Sequence, residues 1–313
     1  MSLEGLTYSQ QYWIKRYAKE LNMTVEAYMA SPHYRPRKAK QQTKAEEFKP
    51  VDLSKVKRLD QLMVSGDLMK QYKTNTMVDR MFSHEGGIPV GTNVMCTGDP
   101  GVGKTTMLMH TLSNLQYVNP ESKCLFVSAE MSKLQVFKYT QRFPEFSNLE
   151  TLFTSDFLGS NFREVLESLL AKGYDYVLMD SIAEVLDSVK DDCGMSQGQA
   201  EKWLIDLCVK NNEANNEDRR HTTFLLIQQV TKGGVFVGSN KLKHITDAHM
   251  EIKRYSDSDG GGTYIMFSKN RNGAAGIRYD FRLGSNHITY DLVTEAQGGD
   301  SGPFELQIEE NSL

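Results

Sequence analysis

Four cysteines are spread over 313 residues, at Cys96, Cys124, Cys193 and Cys208, with no C-x-x-C pair and no histidine at ligand spacing. That argues against a zinc finger or a disulfide framework, and the thiols read as reduced cysteines of a cytosolic protein. No run of eighteen uncharged apolar residues occurs, and Met1–Glu20 lacks an apolar core stretch, so the expectation is a cytoplasmic chain without a membrane span. Positive charge is not in excess either: 36 Lys and Arg stand against 40 Asp and Glu, a net charge of −4. This argues against indiscriminate coating of nucleic acid by the whole surface, and any such contact must come from local basic stretches. What is present, 39% hydrophobic and 24% charged residues, suffices for one full α/β domain with an appendage.

Three regions follow from the pattern along the chain. In residues 1–50, Trp13, Ile14, Tyr17, Ala18 and Leu21 recur at helical spacing over Tyr8–Leu21, and a second short helix is expected over Val25–Met29 before Ser31-Pro32. His33–Pro50 then carries Arg35, Arg37, Lys38, Lys40, Lys44 and Lys49 with few apolar residues, the composition of a basic linker that is a solvated tether, a nucleic-acid contact or a segment docking on a neighbouring subunit. Residues 51–293 alternate strand and helix candidates, which predicts an α/β fold with a mostly parallel central sheet flanked by helices. Strands are expected at Thr92–Thr97, Cys124–Ser128, Tyr176–Asp180, Thr223–Ile227, Ala248–Arg254, Thr263–Ser268, Ile277–Leu283 and His287–Tyr290, and helices at Leu134–Arg142, Phe162–Leu170 and Gln197–Val209. The closely spaced late strands predict an antiparallel finish to the sheet. Residues 294–313 hold five acidic residues and no Lys or Arg, a solvated tail or an acidic competitor for a basic site.

The most specific signal is Gly98-Asp99-Pro100-Gly101-Val102-Gly103-Lys104-Thr105, the phosphate-binding pattern G-x-x-x-x-G-K-[ST], followed by Thr106 and an apolar helical run through Leu112 and Leu115. Glycines at these positions let backbone N–H groups turn inward around a β-phosphate. Lys104 would reach the β- and γ-phosphate oxygens, and the Thr105 hydroxyl is placed to ligate Mg²⁺. The positive end of the following helix adds to the attraction for anions. A nucleoside triphosphate and Mg²⁺ are therefore the expected ligands.

Two further strands end in carboxylates. Tyr176–Asp180 has the form of a Walker B strand, whose Asp180 would help hold Mg²⁺ beside the phosphate loop; a helix-capping role is the alternative. Lys123–Glu130 places Glu130 where a general base could orient the water that attacks a γ-phosphate, the alternative being an acidic residue favoured by a helix dipole.

In order and content these motifs resemble the RecA-family ATPase core, within it the branch of RadA recombination proteins and DnaB-type helicases. Gly86-Gly87-Ile88-Pro89-Val90-Gly91 resembles the glycine-rich turn before the first core strand of RadA-like proteins, and Ser128-Ala129-Glu130-Met131-Ser132 the S-x-E-M-S segment of DnaB-type helicases. Gln228-Gln229-Val230-Thr231-Lys232-Gly233-Gly234 is similar to H-V-T-K-x-G of RadA, with Gln229 at the histidine position, and Lys269-Asn270-Arg271-Asn272-Gly273 to K-N-R-F-G. The resemblance implies an ATP-hydrolysing RecA-like core, with Glu130 as catalytic base and Gln229 as γ-phosphate sensor. It also implies that Lys269 and Arg271 reach the neighbouring subunit's γ-phosphate as finger residues, so that a homo-oligomer, ring or filament, carries ATP at its boundaries.

In RecA-like cores the loops after the Walker B strand and after the glutamine strand line the path of single-stranded DNA, here Ala183–Gln197 and Lys232–Lys243. The second has the better chemistry, with Lys232, Lys241 and Lys243 for phosphates and Phe236 for stacking on bases; solvated loop lysines are the alternative. The N-terminal zinc module and C-terminal protease-like domain of bacterial RadA find no counterpart. The expected product is a compact core with a short helical extension, of the sort that viruses of bacteria often encode, and the resemblance implies that the N-terminal helices form a subunit-docking arm with Trp13 and Tyr17 as anchors. The overall expectation is an ATP- and Mg²⁺-dependent, single-stranded-DNA-binding ATPase of recombination, branch migration, repair or replication, working with partner proteins of those processes. Its rivals are a DnaB-type replicative helicase and a nucleotide-gated loading adaptor with little turnover.

Overall fold

Runs such as Cys124–Ser128 and Tyr176–Asp180 are apolar without alternation, the pattern of strands covered on both faces. In the computed structural model they lie inside a sheet of nine strands, every residue of both being buried. The structure describes residues 3, 6, 8–34, 56–61, 63, 66–229, 246–255 and 261–292. Two compact units divide the chain, Met1–Leu62 and Met63–Leu313.

The first unit contains a helical hairpin of α1 (Tyr8–Glu20) and α2 (Val25–Ala30). Thr24 caps α2 by accepting from the Ala27 N–H at 3.2 Å, and Ile14, Ala18, Tyr28 and Met29 form its small core.

In the second unit, β1 (Gln71–Tyr72), α3 (Val78–Phe82) and β2 (Ile88–Pro89) precede the main sheet. There follow β3 (Asn93–Gly98), α4 (Lys104–Val118), β4 (Cys124–Ser128), α5 (Lys133–Arg142), β5 (Glu150–Phe153), α6 (Phe162–Leu170), β6 (Tyr176–Asp180), α7 (Ile182–Cys193) and α8 (Gln197–Asn212). The last strands are β7 (Thr223–Gln229), β8 (Ala248–Arg254), β9 (Thr263–Asn270), β10 (Arg278–Leu283) and β11 (Ile288–Leu292). Their order across the sheet is β11-β10-β9-β8-β3-β7-β6-β4-β5. Pairing is parallel from β8 through β5 and antiparallel from β8 to β11, a mostly parallel sheet with the expected antiparallel finish.

Alternate residues of these strands feed two apolar layers. On one face α4 packs Met107, Leu108, Leu112 and Leu115 with Cys96, Phe126, Leu178 and Ile227. On the other, α6, α7 and α8 bring Leu166, Ile182, Val185 and Leu204 against Met95, Val127, Val177 and Phe224. At roughly 1.5–3 kcal/mol for each fully buried apolar side chain, these layers dominate what holds the parallel strands in register.

One sequence expectation is corrected here. Much of Ala183–Gln197, read as a DNA-lining loop, is helix α7. Ile182, Val185, Leu186 and Val189 recur at helical spacing and are buried, while Glu184, Asp187, Asp191 and Asp192 make the same segment look like a polar loop. Gly194, in the left-handed region at φ 62°, ends the helix. Strand β5 was not anticipated; it is short and half-exposed at the sheet edge.

The β3–β8 contact fixes one glycine. A Cβ on Gly98 would stand 2.3 Å from the Ile252 carbonyl oxygen, closer than any side chain tolerates, and both partners are main chain. Gly98→Ala is therefore expected to lower stability by at least about 1–3 kcal/mol, read as a fall in the urea midpoint.

Candidate nucleotide site

Four neighbouring parallel strands, in the order β3-β7-β6-β4, each deliver one candidate residue at their C-terminal ends. Lys104 follows β3, Gln229 ends β7, Asp180 ends β6 and Glu130 lies just beyond β4. Ligands of open α/β sheets bind at that edge. The register is direct: Gly98 is level with Gln229, and Ser128 with Asp180.

The loop between β3 and α4 turns on Gly103, which caps α4 at φ 98°. A Cβ there would come within 2.6 Å of Leu283 Cδ1 and 3.1 Å of Phe281, so the loop lies tight beneath the end of β10. Lys104 is buried and donates from Nζ to the Gly98 and Asp99 carbonyls at 2.8 and 3.0 Å. Its ammonium is thus held over the loop that is to receive phosphate.

Thr105 Oγ1 donates to Asp180 Oδ2 at 2.5 Å. Burial pushes the Asp180 carboxyl up to about 6, and the charge of Glu130 adds to the rise, against the opposing effects of the Thr105 hydrogen bond and Lys104. Buried carboxylate and hydroxyl oxygens side by side are a donor set that suits Mg²⁺, which takes one or two protein oxygens and completes its shell with phosphates and water. Among the described residues no cluster of three or more His, Cys, Asp or Glu side chains could hold a metal.

The raised value sets a pH-dependent cost. A carboxylate whose folded pKa lies above its unfolded one destabilises the fold by an amount that builds as pH rises from about 4, where the unfolded chain ionises, to about 6, and is constant above that. At pH 8 it amounts to about 3 kcal/mol or less. Asp180→Asn is expected to raise the unfolding temperature of the nucleotide-free protein in EDTA at pH 8, to have little such effect near pH 4, and to reduce Mg²⁺-dependent turnover. Scanning calorimetry at the two pH values checks the first two.

Glu130 is tied to the same edge. The Asp180 carbonyl accepts from the Ala129 and Glu130 N–H groups at 2.8 and 3.2 Å, across a cis Asp180–Ser181 peptide. Glu130 is exposed, and its Oε1 accepts from Gln229 Nε2 at 2.7 Å. A cavity of about 330 Å³ is lined by the phosphate loop, Thr106, Glu130, Asp180, Ile227 and Gln229, and also by Tyr139, Arg142 and Leu283. Those last three were absent from the sequence reading. Arg142 is steadied by the carbonyls of Ser285 at 2.6 Å and of Gly284, and only the sheet topology brings that turn to α5.

Lys269 and Arg271 are not at this cavity. Asn270 pairs with Ala248, and Ala248 is level with Val94, so the basic turn lies at the opposite end of the parallel strands from Gly98. Asn93 to Gly98 spans five residue steps, about 16 Å along the strand, and β9 is two strands away from β3. There Lys269 Nζ donates to the Thr246 carbonyl, and Arg271 pairs with Asp247 at 3.0 Å. Burial holds the Lys269 ammonium below its usual range, and the Arg271 charge acts in the same sense. The DNA-contact candidates Lys232, Phe236, Lys241 and Lys243 lie outside the described residues.

Known proteins resemble this chain in sequence and in fold. Residues 53–191 match the family described as ATPase: KaiC. The DNA repair protein RadA of Mycobacterium tuberculosis is 27% identical over 205 residues, 65% of this chain and 40% of that protein. That of Campylobacter jejuni is 32% identical over 162 residues, 52% of this chain and 34% of that one. The chain thus spans well under half the length of these relatives. Among solved structures, a KaiC-like protein of the archaeon Pyrococcus horikoshii superposes with a TM-score of 0.55 at 18% identity, over 71% of this chain and 98% of that one. The flagellar accessory protein FlaH of Methanocaldococcus jannaschii gives 0.54 at 12%, over 71% and 100%. Strand order and phosphate loop are those of a RecA-like P-loop ATPase fold, and the stretch similar to the KaiC-like ATPase family, residues 53–191, contains the phosphate loop, Glu130 and Asp180.

Proposed function

We propose that this chain is an ATP- and Mg²⁺-dependent, single-stranded-DNA-stimulated ATPase of recombination, branch migration or repair. We place ATP at the boundary between two copies. The observation that carries the reading is the convergence of Lys104, Thr105, Asp180, Glu130 and Gln229 on one sheet edge, with Gln229 bonded to Glu130. The DNA assignment draws on the likeness to proteins named for DNA repair.

In this reading the loop N–H groups and Lys104 bind the β- and γ-phosphates. Thr105 and Asp180 hold Mg²⁺, whose charge offsets that of the phosphates. Glu130 orients a water for attack on the γ-phosphorus while the bond to the β–γ bridging oxygen breaks, and it accepts a proton from that water. Gln229 shares a hydrogen bond with that base and immediately precedes residues 230–245, so the state of the γ-phosphate and the position of the following segment are coupled through one side chain. Lys269 and Arg271 stand too far from their own phosphate loop to serve it, which favours their acting on a neighbour's.

The test is ATP turnover with and without oligo(dT) in Mg²⁺, with Lys104→Ala as the control. Turnover that rises several-fold with oligonucleotide and vanishes in the variant supports the reading. Turnover indifferent to DNA at every salt concentration overturns the DNA assignment and leaves the ATPase.

A further inference from the structure

On the α1–α2 hairpin, large aromatic rings face solvent although an apolar core lies next to them. Tyr12, Trp13 and Tyr17 are 53, 44 and 45% exposed. Trp13 and Tyr17 stack with ring centroids 5.8 Å apart and planes 29° from parallel, and Tyr17 continues the stack onto Tyr28 at 6.3 Å. Arg16 lies over the Trp13 ring at 5.0 Å. With 100° between successive helical residues, the exposed arc of α1 reads Lys15, Lys19, Tyr12, Arg16, Glu20, Trp13, Tyr17, and Ile14 and Ala18 close the circle on the buried side. Glu20, paired with Arg16 at 2.9 Å, is the one acid of the helix.

Charge is divided in the same sense. Residues 1–50 contain nine Lys and Arg against five Glu, whereas the whole chain has 36 against 40. The N-terminal segment is therefore net positive on a chain that is net negative.

We infer that this hairpin is a stacking platform for single-stranded nucleic acid. Bases lie against Tyr12 and the exposed flank of the Trp13–Tyr17 stack, and Lys15, Lys19 and Arg16 meet the phosphates. Rings interleaved with cations are the chemistry by which proteins hold single strands without reading sequence. The core of a protein interface also favours Tyr, Trp and Arg but is depleted in lysine, so the two lysines on the arc favour a polyanion over a second copy. The inference deepens the proposed function, since it rests on a single-stranded DNA ligand and adds a contact on a different part of the chain.

Trp13 is itself the reporter, because the only other tryptophan, Trp203, is buried. The full chain is titrated with a fluorescently labelled oligo(dT), followed by anisotropy, and with unlabelled oligo(dT), followed by tryptophan emission, beside Trp13→Phe and a Trp13→Ala/Tyr17→Ala variant. The expected result is quenching that saturates with oligonucleotide and is absent from Trp13→Phe. A loss of affinity of roughly tenfold or more is expected in the double variant, with turnover in the absence of DNA unchanged. Oligonucleotide bound equally well by all variants, with Trp13 emission unmoved, overturns the inference and leaves the proposed function standing. Emission that follows protein concentration instead of DNA, with a smaller assembly for the double variant, assigns the face to a second copy and also overturns it. No binding of oligo(dT) by any form sinks both readings.

Discussion

Glu130→Gln is expected to lower ATP turnover by about 10²–10⁴-fold, the range of a positioned general base, while nucleotide affinity stays within a few-fold of the parent. The substitution keeps shape and removes only the basic oxygen pair. The glutamine side-chain oxygen can still accept from Gln229 Nε2, as Glu130 Oε1 does at 2.7 Å. The main-chain bonds from Ala129 and Glu130 to the Asp180 carbonyl do not involve the side chain. Single-turnover hydrolysis with equilibrium binding of a fluorescent ATP analogue separates the chemical step from binding. Equal loss of both would point to a structural role for Glu130.

The second large effect is expected at Arg271. An arginine that stabilises charge in phosphoryl transfer contributes about 10³–10⁵-fold, so Arg271→Ala should nearly silence turnover, although the residue lies at the far end of the sheet from its own phosphate loop. Local stability should change little, because its pair with Asp247 is an exposed ion pair, worth at most about 1 kcal/mol. A large catalytic loss with an unchanged melting temperature and unchanged nucleotide binding is the signature of action across a subunit boundary. Arg271→Lys is expected to recover only part of it, since a lysine restores the charge without the planar fork.

Much of this site was legible in the sequence because its strands are buried on both faces. Cys124–Ser128 and Tyr176–Asp180 are uninterrupted apolar runs that stop at a polar residue, and both strands fall at those bounds. The phosphate loop announces itself because its backbone geometry tolerates few residues. Helix α7 was hidden by its acidic outer face, which outweighed an apolar stripe of only four residues. Tyr139, Arg142 and Leu283 carry no local signal. Tyr139 and Arg142 belong to an ordinary amphipathic helix and Leu283 to a strand end, and they meet at the cavity only because the end of β10 lies against the phosphate loop. The remoteness of Lys269 and Arg271 was unreadable for a related reason: it depends on β8 pairing in parallel with β3, a strand some 150 residues earlier in the chain.

That remoteness makes the shared site the central claim, and mixing two inactive variants tests it directly. Lys104→Ala and Arg271→Ala are each assayed alone and then combined in equal amounts, in Mg²⁺ with single-stranded DNA. If ATP is held by one copy and completed by the next, each variant alone is silent. Random assembly then restores an intact Lys104 facing an intact Arg271 at about one boundary in four, so the mixture should recover close to a quarter of parental turnover. A mixture as inactive as its components, or an Arg271→Ala protein as active as the parent, would contradict the account.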